Sequence, residues 1–403
     1  MSPRPRRRPR PAVTALLTAS LAASLAASLA LAPAAGAAAG GGPEGHQDGR
    51  QDGDRALRAR LQELVDRPDG PPGAIAVLRE DNRVRVVRAG TAELGTDRPP
   101  LAEDHMRLAS AAKAFSGAVA LRLVDCGLLS LDDTLAARLP ALPADWGAVT
   151  LRQLLNHTSG LPDYSRAPAF GDLLNADPHH VFDSRHLLDF VADEPLEFTP
   201  GTRYQYSNSD NIAVALMAEA ATGQRYEDLL ASEVYRPLGL TRTSLPSGYR
   251  LPRPYLHGYD VEPPAPPQDV STKYGASGSW ASGGLVSTPA DFNAFAAAWA
   301  GGPLIGDATR AQQRTFVDGA SEPAGPGTNH AGLAIFEYTT RCGTVYGHTG
   351  NTPGYTQLGA GTADGRRSLT VSVTTQVNQS GTPDLLAHLR AVEEDFVCAL
   401  LAP

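Results

Sequence analysis

The chain has 403 residues, of which 42% are hydrophobic, 19% charged and 6% aromatic, and its formal charge is −8. Those fractions exclude a wholly disordered chain and a fibre; Gly (40) and Pro (33) follow no three-residue period, which excludes collagen. The acidic balance argues against general binding to nucleic acid or to anionic membranes.

Arg4, Arg6, Arg7, Arg8 and Arg10 precede an uncharged, Ala- and Leu-rich run from Ala12 to Leu31, and small residues follow at Ala34 to Ala39. This pattern predicts a cleaved secretory signal over residues 1–39. The rival is an uncleaved anchor, since about 20 apolar residues span a bilayer. Ala, Ser and Thr dilute the run, which favours cleavage and a secreted protein with no stable membrane anchor. Without those five arginines, 30 bases face 43 acids, a charge of −13.

Residues 40–54 are Gly-rich and polar, which predicts a flexible lead-in. Helical periodicity follows over 55–67, then GAIAVLRE and RVRVVRAG around Asp81-Asn82 predict a β-hairpin. A long amphipathic helix is predicted from Ser110 to Cys126. Helical patterns dominate 130–265, and EPPAPPQDV (262–270) reads as a Pro-rich domain crossing. A helix over 288–301, strands in TVYGHTG and TQLGAGTADGRRSLTVSVTT, and a helix over 384–400 complete the chain. This order predicts a mixed α/β domain from 55–111 and 266–403, split by a mainly helical domain over 112–265.

Cys126 is read at a buried helix end; Cys342 and Cys398, both in the C-terminal segment, are the expected disulfide pair of an oxidising compartment. Three scattered cysteines and the adjacent His179 and His180 in a loop offer no metal site, and no cofactor is expected.

The chain has only two lysines, Lys113 and Lys273, against 28 arginines beyond the first ten residues. Arg cannot deprotonate, whereas a desolvated Lys can. Lys273 reads as a surface residue. Lys113 stands three positions after Ser110, so both side chains share one helix face. That pairs a serine nucleophile with an amine base; an ordinary N-cap serine is the alternative. Tyr206-Ser207-Asn208 offers a phenol to relay protons and a carboxamide to hold an amide, or else a polar turn before a helix. His348-Thr349-Gly350 ends a strand-like run, where Gly350 and Gly354 let backbone approach a ligand; a strand ending in a glycine turn is the alternative.

Together, S-x-x-K, Y-S-N and H-T-G in this order resemble the motif set of the penicillin-recognising serine enzymes. In these forms, with LRQLLNHTSGLPDY, PGTRYQYSN and ASGGLVSTPADF, the chain resembles the secreted serine D-alanyl-D-alanine carboxypeptidases and the related class C β-lactamases over about residues 57–400. The resemblance implies an antiparallel sheet flanked by helices, with an inserted all-helical domain. It implies that Ser110 forms an acyl-enzyme, Lys113 takes its proton and Tyr206 shuttles protons. It further implies that Asn208 holds the substrate amide, that His348, Thr349 and Gly350 line the substrate strand, and that the N–H groups of Ser110 and Asn351 form an oxyanion hole. Trp280 is placed as a wall of the pocket. The family pattern also joins the positions of Cys342 and Cys398.

One departure matters. The carboxypeptidases resembled often carry an Arg shortly before the H-T-G strand to grip a terminal carboxylate, whereas this stretch, GLAIFEYTTRCG, has Phe336 there. The implied activity is a monomeric D-alanyl-D-alanine carboxypeptidase acting on peptidoglycan stem peptides, with β-lactams as inhibitors or substrates. A β-lactamase, an esterase or D-aminopeptidase acting on D-amino-acid amides or esters, and a non-catalytic penicillin-binding module are the alternatives.

Overall fold

Alternation of Ala74, Ala76 and Leu78 with Ile75 and Val77 lets strand β1 (Gly73–Glu80) bury apolar side chains on both faces. The structure, a computed structural model, describes residues 45–402 except Asn82. The chain divides into Met1–His46 and a larger compact unit, Gln47–Pro403. The expected signal over 1–39 and the start of the lead-in lie outside the described residues.

The rest of the lead-in is helical rather than flexible: α1 runs Gly45–Val65. Asp52 pairs with Arg55 one turn on, and Asp54 meets Arg85, which supports the early turns. Strand β2 (Arg83–Gly90) returns beside β1 after a turn in which Asp81 has φ 50°. Six more strands follow late in the chain: β3 (Val317–Asp318), β4 (Thr328–Ala331), β5 (Phe336–Thr340), β6 (Gly343–Thr352), β7 (Tyr355–Gly361) and β8 (Arg367–Val373). Their order in the sheet is β2-β1-β8-β7-β6-β5-β4-β3, antiparallel throughout.

Most of the stretch between β2 and β3 is helices and turns. Its main elements are α2 (Ala112–Asp125), α3 (Asn208–Thr222) and α4 (Pro289–Ala300). Helix α4 starts where a sequence reader expects: Thr288 accepts from the Asp291 amide and Pro289 occupies the first turn. It covers the sheet face that carries Ile75 and Val77, and its Phe295 stacks on Phe115 of α2 at 3.6 Å. The opposite face packs on α1 and on α5 (Pro383–Leu401) through Leu57, Leu61, Leu389 and Phe396. Among the described residues no helix is long and apolar enough to cross a membrane, and no His, Cys, Asp or Glu cluster suits a metal ion.

Helix α2 departs from the amphipathic pattern. Every residue from Ala112 to Leu121 is buried, because the helix runs through the core. Cys126, expected buried, is exposed just beyond its last turn. Cys342, in the β5–β6 turn, is bonded to Cys398 of α5 across 56 residues. Closing a loop of that size constrains the unfolded chain by about 4 kcal/mol. Cys398→Ser is therefore expected to lower the unfolding free energy by about that amount. Denaturant midpoints of the variant and the parent, measured without reductant, check this; equal midpoints would show that the bond contributes no stability.

Candidate active site

A short 3-10 turn, Ala109–Ala111, carries Ser110 into the start of α2. Ala109 has φ 49°, an unfavourable region for a residue with a Cβ. The turn is held there by β6. A Cβ on Gly350 would lie 2.4 Å from the Leu108 carbonyl oxygen, 2.6 Å from the Ala111 nitrogen and 2.8 Å from the Ser110 nitrogen. The glycine thus admits the Ser110 turn, rather than a ligand as the sequence suggested. Ser110 and Asn351 border the same cavity, as an oxyanion hole built from their N–H groups requires.

Ser110 does not cap α2: the N-cap is Ala111, with no side-chain cap. Its hydroxyl faces Lys113, whose Nζ lies 3.2 Å from Ser110 Oγ. The same Nζ lies 2.7 Å from Asn208 Oδ1 and 2.8 Å from the Ser282 carbonyl oxygen. Both of those partners can only accept. A neutral amine has two N–H bonds and one lone pair, so donating to both leaves the lone pair for the serine. Burial, partly opposed by the charges of Asp163, Glu322 and Asp210, brings Lys113 down to about 7. Lys273, by contrast, is exposed.

Asn208 starts α3, and its Nδ2 donates to Asp163 Oδ2 and Ser165 Oγ, each at 3.0 Å. Its carboxamide borders the cavity, with both N–H bonds and one oxygen lone pair already engaged. Tyr206 lies with its ring centroid 4.9 Å from Lys113 Nζ. Its buried hydroxyl is near enough to Ser110 for that contact to favour ionisation, yet makes no hydrogen bond of normal geometry. Burial outweighs the contact and holds the phenol well above its ordinary pKa. Behind the ring, at 4.5 Å, is His157, whose Nδ1 lies 2.7 Å from Asp210 Oδ2; Ser159 Oγ donates to the other carboxylate oxygen at 2.5 Å. Burial pushes His157 down to about 3 and Asp210 well up, so both are disfavoured as ions.

The cavity beside Ser110 has a volume of about 370 Å³. Tyr164, Phe170 and Leu174 give it an apolar side; Ser165, Asn208, Ser279 and Glu322 give it a polar one. Trp280, expected in the wall, does not border it. The indole is buried against Tyr226, and its N–H donates to Glu227. His348 and Thr349 are also buried, and Thr349 Oγ1 donates to the Pro323 carbonyl of the neighbouring loop at 2.5 Å. Burial pushes His348 down to about 3, so it carries no charge near neutral pH. Phe336 packs edge-on to the His348 ring at 5.0 Å, and Arg341 is engaged on the surface by Glu394 and Asp395 of α5.

Sequence reading singled out Ser110, Lys113, Tyr206 and Asn208, and the structure brings all four together. It missed Asp163, Ser165, Ser282, Glu322 and the His157–Asp210 pair. His157 and Asp163 stand in LRQLLNHTSGLPDY and Ser282 in ASGGLVSTPADF, segments that read as familial without any residue being assigned. Glu322 had no local signal.

The family model described as Beta-lactamase matches residues 57–393. Penicillin-binding protein 4* of Bacillus subtilis (strain 168) is 31% identical over 175 residues, which cover 42% of this chain and 38% of that protein. A D-aminopeptidase of Brucella anthropi is 34% identical over 199 residues, 49% of this chain and 37% of its own length. The match thus spans well under half of these curated relatives. A D-stereospecific amidohydrolase from Streptomyces sp. superimposes with a TM-score of 0.71 at 28% identity, over 84% of this chain and 98% of that one.

Gly350→Ala is expected to displace the Ser110 turn, since real Cβ atoms do not come within 3.0 Å of such neighbours. A loss of about 1–3 kcal/mol in stability and at least about a tenfold slower labelling of Ser110 by a fluorophosphonate should follow. Labelling at the parent rate would show that the turn does not depend on this approach.

Proposed function

The chain belongs to the beta-lactamase family, and on that premise we propose that it is a serine hydrolase cleaving amide bonds on the carbonyl side of D-amino-acid residues. The observation that carries this reading is the Lys113 amine, whose two acceptor partners leave its lone pair facing Ser110 beside a cavity with no Arg or Lys in its lining. Ser110 Oγ attacks the amide carbonyl and its proton passes to Lys113 Nζ. The oxyanion of the tetrahedral intermediate is received by the N–H groups of Ser110 and Asn351. Tyr206 keeps its proton at neutral pH, so it acts as a phenol that passes a proton to the departing amine and takes one back from the Lys113 ammonium. Water then cleaves the acyl-enzyme along the same path, and acid and amine are the products.

The relatives named D-aminopeptidase and D-stereospecific amidohydrolase support a D-amino-acid amide, and Phe170 and Leu174 suit an apolar side chain. The second reading is the D-alanyl-D-alanine carboxypeptidase, favoured by the ordered motifs and the penicillin-binding relative. Against it stand a neutral His348, Phe336 where an Arg is expected, and an Arg341 already paired elsewhere. The Cys342–Cys398 bond and the basic-then-apolar N-terminal run support an exported protein.

The test is ammonia release from D-phenylalaninamide, with the L-enantiomer and Ser110→Ala as controls, beside D-alanine release from a diacylated L-Lys-D-Ala-D-Ala peptide. We expect hydrolysis of the D-amide, at least about a thousandfold lower in Ser110→Ala. Serine-dependent release of D-alanine alone would favour the carboxypeptidase. No serine-dependent turnover of either would overturn the proposal.

The Lys113 pKa also sets a pH dependence. The amine is a base only when neutral, so kcat/KM should rise with pH through an apparent pKa of about 7 and fall away below it. Lys113→Arg should be as inactive as Lys113→Ala, because Arg stays protonated. A profile flat from about pH 5 to 9 would remove Lys113 as the base.

A further inference from the structure

The loop between β3 and β4 runs across the buried middle of β6 and is held by four residues outside it. Tyr204 Oη donates to the Ala320 carbonyl at 2.6 Å, and Tyr338 Oη to Ser321 Oγ at 3.1 Å. Ser321 Oγ and Thr349 Oγ1 both donate to the Pro323 carbonyl. Arg390 of α5 donates to the carbonyls of Gly325 and Gly327 at 2.8 and 2.6 Å. Ser321 and Pro323 are buried, but Glu322 between them is exposed at the cavity that Ser110 borders. Holding both neighbours fixes where the Glu322 side chain leaves the backbone, at the rim of the cavity.

Glu322 has no hydrogen bond and no ion pair among the described residues. Its electrostatic surroundings are Arg166, Lys113 and Asp163. Arg166 is itself largely exposed and approaches Asp163 rather than Glu322, at 3.9 Å. Lys113 is committed to Asn208 and Ser282. Although its surface is open to solvent, the surrounding protein desolvates the carboxyl enough to raise its pKa, a cost that a docking cation offsets. Among the described residues no Arg, Lys, Asp or second Glu lines this cavity. The cavity therefore offers one carboxylate and no cation from its lining.

We propose that Glu322 binds the α-ammonium group of the substrate, so that the enzyme selects D-amino-acid amides and peptides with a free N-terminal amine. This rests on the serine hydrolase reading above and names the end of the substrate that the site recognises. The same loop also takes up the Thr349 hydroxyl, one of the groups expected along the substrate strand, through Pro323. A substrate carboxylate finds no positive partner on this side of the cavity, whereas an ammonium group finds the Glu322 carboxylate.

The experiment compares kcat/KM for D-phenylalanine p-nitroanilide and its Nα-acetyl derivative in the parent, Glu322→Gln and Glu322→Lys. We expect a preference for the free amine of at least about thirtyfold in the parent, reduced at least about tenfold in Glu322→Gln and reversed in Glu322→Lys. An unchanged preference in Glu322→Gln overturns the assignment. A second measurement needs no variant: D-phenylalaninol and its N-acetyl derivative as competitive inhibitors of the parent. At least about tenfold tighter inhibition by the free amine supports the proposal, and equal inhibition overturns it. Fluorophosphonate labelling of Ser110 in each protein separates the two failures. Labelled Ser110 with no amine preference sinks only the Glu322 role, whereas an unlabelled Ser110 in the folded parent sinks the serine mechanism as well.

Discussion

The Lys113 amine lies in a place that water does not reach, and three stretches of chain close around it. Ser110 and Lys113 belong to one turn and helix, Asn208 starts another helix, and the Ser282 carbonyl comes from a distant turn. Each contributes one polar atom, and together they match the three bonding directions of an uncharged amine. A protonated amine in the same place bears the full cost of desolvation, which burial imposes and nearby carboxylates only partly repay. The arrangement that stabilises the neutral form structurally is also the one that the proposed base role requires.

That arrangement is useful only where a carbonyl group can reach Ser110, and the sheet decides this. Strand β6 comes so close to the Ser110 turn that only a hydrogen fits at position 350. The approach sets residue 351 and the serine on one cavity. It also draws the β3–β4 loop over Thr349, whose hydroxyl holds the Pro323 carbonyl. Core packing, the nucleophile and the cavity rim are thus linked through a single strand.

The family likeness accounts for the sheet, the flanking helices and the covalent chemistry, and says less about which end of a substrate is held. Around this cavity the answer lies in a few charges. His348 is neutral because it is buried, Arg341 is paired on the surface, and Glu322 stands unpartnered at the rim. A shared mechanism combined with a different rim is how one fold serves acyl transfer on different substrates.

Much of the local structure was legible in the sequence. Alternation marked β1 and β2, strand-like runs marked β6, β7 and β8, and the helix read over 288–301 is α4, whereas β3, β4 and β5 were not read. The spacing of Ser110 and Lys113 placed two groups on one helical turn, which is a local relation that geometry guarantees. The helical start at Gly45, the exposure of Cys126, the turning away of Trp280 and the burial of α2 on all sides were not legible, since each depends on what packs against the segment. The same holds for Asp163, Ser282 and Glu322. A side chain or carbonyl enters a site through contacts between residues far apart in the chain, and no local pattern records them. The sequence by itself therefore determined which residues could do covalent chemistry, because that depends on side-chain type and near spacing. Only the tertiary structure decided which groups are desolvated, which are already paired and which charge faces the cavity, because burial and long-range contact set all three.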